Sequence, residues 1–469
     1  MRIKKISVKR FKNLKNFDCE FSESNVSAFI GINGAGKSNI LELIARAFSN
    51  AMNSYCKKEL PFVSIDKKAS VADCVIEYEL NGDTYKLCYN ENISDDKREA
   101  RENDEAGFYE TISIKNGEKD VKKSDYLKAL PSNILLYYAG ETKRQKKCAD
   151  NTYDTIYDNK LKKAKSHELP GLKFMEYYGI DDLRLLLVAL SVYKSPSYKK
   201  ILEKLNCESI EDKFCLTFGR PEKGKGSFET YWNSTGFVKY FIDELRKYVV
   251  GSRDEDDEYI MEFDSMKFLR NLADNEFELF AKLKALKNYG ILKHVKIQLK
   301  KNDGCSFYYS RLSEGEKQFA LIYLLTAFTK NENCLYLFDE FDAYLHLNWQ
   351  RFISQMLGEA NVKGHVIFTT HSPASISKLK QNDVYILNEG NVYNAYSETF
   401  NRSLDEIMEE LMGVSLRPQE YTDLVQEFRN AVVHNQKELA LQKLDEIKKI
   451  VGEDDPFLIT ARIALGRME

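Results

Sequence analysis

Gly31, Gly34, Gly36, Lys37 and Ser38 satisfy the pattern G-x-x-x-x-G-K-S within the stretch FIGINGAGKSNI. Glycines let a backbone curl until successive N–H groups face one point. A helix that follows adds the positive end of its dipole, so this spacing is suited to holding phosphate. Asn33, Gly34, Ala35, Gly36 and Asn39 would form or flank the cradle. Lys37 would reach the β- and γ-phosphates of a nucleotide, and the Ser38 hydroxyl would ligate Mg²⁺. A second stretch, CLYLFDE (334–340), is apolar and ends in two acids. Carboxylates at the end of a buried strand face the crevice where nucleotides sit in open α/β sheets. Asp339 is therefore expected to hold the metal and Glu340 to polarise the attacking water.

Two weaker stretches follow the same logic. In RLSEGEKQ (311–318), Ser313, Gly315 and Glu316 stand where a loop enters a helix. They can form a donor nest for a γ-phosphate, or Ser313 and Glu316 can simply cap that helix as a box. In HVIFTTHSP (365–373), His371 follows an apolar run and would lie beside the same crevice. A lone histidine is more often structural; as the fourth element in this order it reads as a contact to the γ-phosphate and the catalytic water.

The elements needed to position these groups are legible around them. The N-terminal stretches RIKKISVKRF, LKNFDCEFS and VSAFIGI alternate with period two and predict strands; SNILELIARAFSNAM carries helical spacing. Residues 71–90 read as a hairpin turning at Asn81-Gly82. NILLYYAG reads as a buried strand, and residues 314–329 predict a helix. VYILNEGNVYNAYS predicts a closing hairpin. From 141 to 290 the chain turns Lys-rich and then helical in pattern, predicting a mostly helical insertion, and 401–469 predicts a helical tail. The ATPase-like lobes would then be 1–140 and 291–400.

Composition narrows the classes. Of 469 residues, 43% are hydrophobic and 12% aromatic, which excludes wholesale disorder. A net charge of −3 gives no global pull toward nucleic acid or anionic membrane, so such contacts need a local patch. No apolar run reaches the about 18 residues a membrane helix needs, and the N-terminus shows no signal-peptide core. The nine cysteines form no CxxC pair, the pattern of reduced thiols in a cytoplasm.

Taken in order, the four stretches resemble the ABC-type ATPases, in the branch that contains SMC, RecF and OLD proteins. The resemblance makes GINGAGKS the Walker A loop, LSEGEKQ the signature, LYLFDE Walker B and TTHSP the switch-histidine loop. FDAYLHLNWQ then resembles the D-loop, with Asp342 as its nucleotide-site residue. YYAGETKRQ lies in the place of the glutamine loop, but Gln145 stands late in it and that role is left open. The implied fold is an α/β ABC-type P-loop ATPase head, a mixed and largely parallel sheet plus an antiparallel β subdomain. A helical insertion and a helical C-terminal tail complete it. ATP and Mg²⁺ are the implied cofactors. One phosphate loop and one signature per chain imply a homodimer or higher homo-oligomer that closes ATP between copies.

The insertion is too short for a long coiled-coil arm, which argues against a chromosome-organising SMC protein. Residues after His371 offer no Toprim nuclease pattern, since NEGN reads as a hairpin turn. FETYWNSTGFVKYFIDEL, NRSLDEIMEELMGVSLRP and GEDDPFLITARIALG resemble ATPases of bacterial antiphage systems, most of all the PtuA type of Septu and certain retrons. That resemblance implies a separate effector nuclease of HNH type as partner, with nucleic acid met through the complex and no membrane. Two alternatives share the motifs: an ATPase like AriA of the PARIS system with a Toprim-type effector, and a RecF-like DNA-repair clamp using the Lys-rich 143–165 segment on DNA. A transporter's nucleotide-binding subunit fits the insertion and tail poorly.

Overall fold

The computed structural model describes all residues except 57–73, 90–111, 141–143, 153–156, 171–173, 223, 256–257, 360–361, 401, 414–416, 453–454 and 467–469. The described chain divides into two compact units, 1–401 and 402–469.

The first unit is organised by a seven-stranded sheet. Its strands are β3 (Val26–Gly31), β4 (Asn133–Tyr138), β5 (Phe174–Tyr178), β6 (Leu335–Asp339), β7 (His365–Thr369), β8 (Val384–Asn388) and β9 (Asn391–Asn394). They lie in the order β9-β8-β3-β7-β6-β4-β5, with every pairing parallel except the β8–β9 hairpin. Leu335–Asp339 and His365–Thr369 are buried at every position, as expected of strands covered on both faces. Parallel pairing sends the C-terminal ends of β3, β6 and β7 to one edge. The glycine-rich loop 31–38, the acids Asp339 and Glu340, and His371 are thereby brought together.

β1 (Arg2–Phe11) and β2 (Leu14–Glu20) open a six-stranded antiparallel sheet completed by strands at 74–80, 83–89, 112–116 and 119–120. The expected hairpin at Asn81-Gly82 is present, both residues having positive φ. Buried His365 joins the two sheets. Its Nδ1 accepts from the Ile3 N–H at 3.1 Å, which leaves Nε2 protonated and 3.0 Å from the Ser27 hydroxyl. Burial, with help from Arg2 and the N-terminal amine, lowers its pKa to about 3, so the ring is neutral and structural.

Six helices matter for the site: α1 (Lys37–Cys56), α2 (Arg144–Thr152), α3 (Leu183–Tyr193), α4 (Glu276–Asn288), α5 (Glu314–Thr329) and α6 (Leu347–Glu359). α1 packs beside α2 and beneath β3, β6 and β7, while α5 packs against α3, α4 and α6. The helix expected over 314–329 has those bounds.

Residues 141–290 mix helices, which make up the larger share of their regular structure, with strands. They contribute β5 to the central sheet and strands 207–210, 214–219, 251–255 and 258–263 to two antiparallel sheets. Strand 251–255 is exposed along nearly its whole length, so its charges hide the period-two signal that marks a half-buried strand.

The second unit is helical: α7 (Leu404–Glu410), α8 (Gln419–Val433), α9 (Lys437–Val451) and α10 (Pro456–Gly466). Tyr421, Val425, Phe428, Ala440, Ile447, Leu458 and Ala461 form its core. Among the described residues, no helix is long and apolar enough to cross a membrane.

Candidate nucleotide site

The phosphate loop is held from two sides. Gly31 sits where a Cβ would lie 2.3 Å from the Leu387 carbonyl oxygen, so β8 leaves no room for a side chain there. From the other side, the β1–β2 turn latches the loop. The Asn13 amide donates to the Gly34 carbonyl at 3.0 Å and accepts from Asn39 at 2.7 Å. Lys12 and Arg46 both donate to buried Glu42. Burial opposes the Glu42 charge, but these two cations more than offset it and hold the carboxyl below its usual range. Asn13 and Lys12 were not among the expected site residues; they lie outside the glycine pattern and become neighbours only through the sheet.

α1 begins at Lys37, so its first N–H groups have no acceptor within the helix and face the loop's cavity. Ala35 is buried, whereas Asn33 and Gly34 are exposed at the loop's crest. Lys37 is buried too, and its ammonium lies 2.8 Å from the Gly31 carbonyl and 3.2 Å from that of Ile32. Burial lowers its pKa to about 8, against the pull of Glu340 and Asp339. A phosphate would replace two weak carbonyl partners with a full negative charge.

The oxygen ligands meet as expected. The Ser38 hydroxyl donates to Asp339 Oδ1 at 3.1 Å across the gap between α1 and β6. Thr369, the last residue of β7, donates to the same carboxylate and accepts from the Glu340 N–H at 3.0 Å. Burial raises the Asp339 pKa to about 6, with the Thr369 and Ser38 hydroxyls opposing. Gln145 is buried near the start of α2, and its amide nitrogen approaches Asp339 Oδ2 at 3.5 Å. Its carbonyl oxygen is buried without a partner among the described residues. The Ser38 hydroxyl and the Asp339 carboxylate are oxygen donors of the kind Mg²⁺ takes, completed by waters and phosphate, and the Gln145 amide would add a third if turned to present its oxygen. The residue the sequence left open therefore lies beside Asp339. Lysines surround it in sequence, and only its burial distinguishes it from them.

Glu340 follows Asp339 with φ +48°, a left-handed conformation that is costly for a non-glycine residue and clusters at functional sites. His371 lies two residues beyond the end of β7 and is exposed. Desolvation and the charge of Lys37 lower its pKa, with Glu340 opposing, so the ring is neutral at neutral pH.

Two expected contacts fall differently. Asp342 is buried and turned into its own chain, where its carboxylate accepts from the hydroxyls of Thr370 and Ser375. Gln350 donates to the Asp342 carbonyl at 3.0 Å and to that of Leu345 at 2.9 Å; it accepts from Ser372. Both neighbours of His371 are thus tethered to the Asp342 segment. Ser313 and Glu316 cap α5 reciprocally: the Glu316 N–H donates to Ser313 Oγ at 3.2 Å, and the Ser313 N–H donates to the Glu316 carboxylate at 2.7 Å. Gly315 lies beneath the Asp342 segment, where a Cβ would stand 2.8 Å from the Tyr344 carbonyl oxygen. No hydrogen bond among the described residues links Ser313, Gly315 or Glu316 to 33–39, and α5 and α1 pack against different helices.

Comparison with known proteins agrees with this geometry. A model of the RecF/RecN/SMC N-terminal domain matches residues 2–392. The retron Vc95 probable ATPase of Vibrio cholerae serotype O1 biovar El Tor is 23% identical over 96% of this chain and 86% of its own length. The retron Ec83 probable ATPase of Escherichia coli is 28% identical over 28% of this chain, and the match spans 25% of that protein. Solved structures it resembles include an SMC head bound to the C-winged helix domain of ScpA, with TM-score 0.37 and 14% identity. That alignment covers 84% of this chain and 97% of the other. The SMC head domain from Thermotoga maritima aligns with TM-score 0.36 and 14% identity over 85% and 100%. Matched by that family's model over residues 2–392, most of its length, this chain belongs to the RecF/RecN/SMC N-terminal domain family.

Proposed function

We propose that this chain binds and hydrolyses ATP with Mg²⁺, and that two copies complete each other's sites head to tail. The observation that carries the reading is the meeting of Ser38, Asp339 and the Gln145 amide beside Glu340. The trans arrangement is supported by Ser313 and Gly315 standing on α5, apart from their own phosphate loop. Ser38, Asp339 and Gln145 would hold the magnesium, which when bound neutralises phosphate charge. Lys37 and the N–H groups opening α1 bind the β- and γ-phosphates. Glu340 takes a proton from water as the water oxygen bonds to the γ-phosphorus and the bond to the ADP oxygen breaks. Neutral His371 donates to the γ-phosphate or orients that water. The partner's Ser313 and Gly315, released from the cap, would face the γ-phosphate.

Similarity to the two retron probable ATPases supports a role in antiphage defence, as the ATPase subunit controlling a separate effector nuclease, HNH type as in PtuA systems. A Toprim-type effector, as with AriA, fits the same chemistry. The RecF-like reading has one specific support, the exposed Lys146, Lys147, Lys163 and Lys165. It requires salt-sensitive duplex binding by this chain alone.

Mixing two inactive variants tests the trans site. Lys37→Ala loses the cradle and Ser313→Arg blocks the donor face, yet a mixed pair contains one intact composite site. Restored ATP turnover on mixing is expected. Turnover in the Ser313→Arg protein alone would overturn the trans reading, and turnover in Lys37→Ala would overturn the phosphate-loop assignment.

A further inference from the structure

Beside the signature helix lies a second cleft, of about 750 Å³, that no residue of the phosphate loop lines. Its floor is the C-terminal end of β4 and β5, where open parallel sheets receive ligands, and its size is that of a small-molecule site. Tyr137, Tyr138 and Tyr177 line it from these strand ends, with Arg184 from α3, Lys146 from α2 and Lys317 from α5.

Two buried polar atoms in this lining have no partner among the described residues. The Tyr137 hydroxyl belongs to a residue 1% exposed and makes no hydrogen bond to any of them. Arg184 Nε is equally orphaned, although its guanidinium lies over the Tyr309 ring at 4.8 Å and meets Asp181 at 3.2 Å. Buried polar groups are normally satisfied, and leaving one without a partner is unfavourable. A molecule that filled the cleft and met both would recover that cost.

The charges select its chemistry. Lys284 and Lys287 are both engaged by Asp182, at 2.6 and 2.7 Å. The remaining cations, Lys146, Arg184 and Lys317, share the lining with Asp150, Asp181 and Glu314, so it is close to neutral and unsuited to a polyphosphate. The half-buried rings of Tyr138 and Tyr177 suit a stacked base, and the Tyr137 hydroxyl offers a donor to a base edge. Arg184 and Lys317 suit one phosphate.

We propose that this cleft binds a nucleoside monophosphate at a site separate from the ATP site. The occupant touches α2, which carries Gln145, and α5, which carries the Ser313 cap, and so bears on both halves of the ATPase machinery.

The test is calorimetric titration of the full-length Lys37→Ala protein with AMP, GMP, CMP and UMP in turn. The Lys37→Ala background silences the phosphate loop. At least one of the four is expected to bind with Kd below about 1 mM. Adding Tyr137→Phe, which removes a partnerless hydroxyl and should leave the fold and Tm intact, is expected to weaken that binding tenfold or more. No binding by any of the four, or an affinity unchanged by Tyr137→Phe, would overturn the proposal. ATP binding by the Tyr137→Phe protein with Lys37 retained reports on the first site separately, so failure of one reading is distinguishable from failure of the other.

Discussion

Asp342→Ala separates a residue that positions the histidine loop from one that touches nucleotide. The carboxylate is buried and accepts two hydroxyl hydrogen bonds, from Thr370 and Ser375. A hydrogen bond to a charged group contributes roughly 1.5–3 kcal/mol, so removing the acceptor forfeits roughly 3–6 kcal/mol gross. Relief from burying a carboxylate, whose pKa is raised chiefly by that burial, offsets part of this. A net loss of about 2–3 kcal/mol in holding the 370–375 loop corresponds to a 30- to 150-fold fall in the population with His371 in place. The assay is steady-state ATPase beside equilibrium nucleotide binding. The expected result is kcat down by about that factor with nucleotide Kd within threefold. Asp342→Asn retains an oxygen that can accept both hydroxyls and should recover most of the rate. Equal losses in kcat and affinity, or an Asn variant as impaired as Ala, would refute the positioning role.

Other consequences follow from named groups. Lys37→Ala should abolish measurable ATP binding in a filter or calorimetric assay, because it removes the ammonium held on the loop's own carbonyls. Gln145→Ala should raise the Mg²⁺ concentration needed for half-maximal turnover while leaving metal-free nucleotide affinity nearly unchanged. Glu176 gives a pH signature in stability. Burial raises its pKa to about 7, with Lys284 opposing, so the folded state holds its proton between the ordinary carboxyl value of 4.5 and about 7. Stability from this group therefore falls as pH rises through that window, by roughly 3 kcal/mol in all. Glu176→Gln should flatten that fall and raise Tm at pH 8; an unchanged pH profile would contradict the assignment.

The parts of the site that local chemistry dictates were legible in the sequence. Glycines at 31, 34 and 36 are demanded by positive φ and by the approach of β8. Asp339 and Glu340 announced themselves because a fully buried strand reads as an apolar run and must end where charge can emerge. The parts that long-range packing dictates were hidden. Thr369 reads as one more strand residue until parallel pairing sets it against Asp339. Gln145 sits among lysines whose solvated pattern masks one buried side chain. The Asp342 motif matched a nucleotide-site loop, but Thr370 and Ser375, distant in sequence, turn its carboxylate inward. Strand 251–255 was hidden within the insertion because its exposed charges erase alternation.

Sedimentation of the Glu340→Gln protein, titrated with ATP and Mg²⁺, measures the joint claim of the site and its trans completion most directly. With the base removed and the ligands intact, bound ATP should persist and drive the monomer into pairs, and adding Ser313→Arg should abolish that shift. A protein that binds ATP yet sediments as a monomer at every nucleotide concentration would contradict the account.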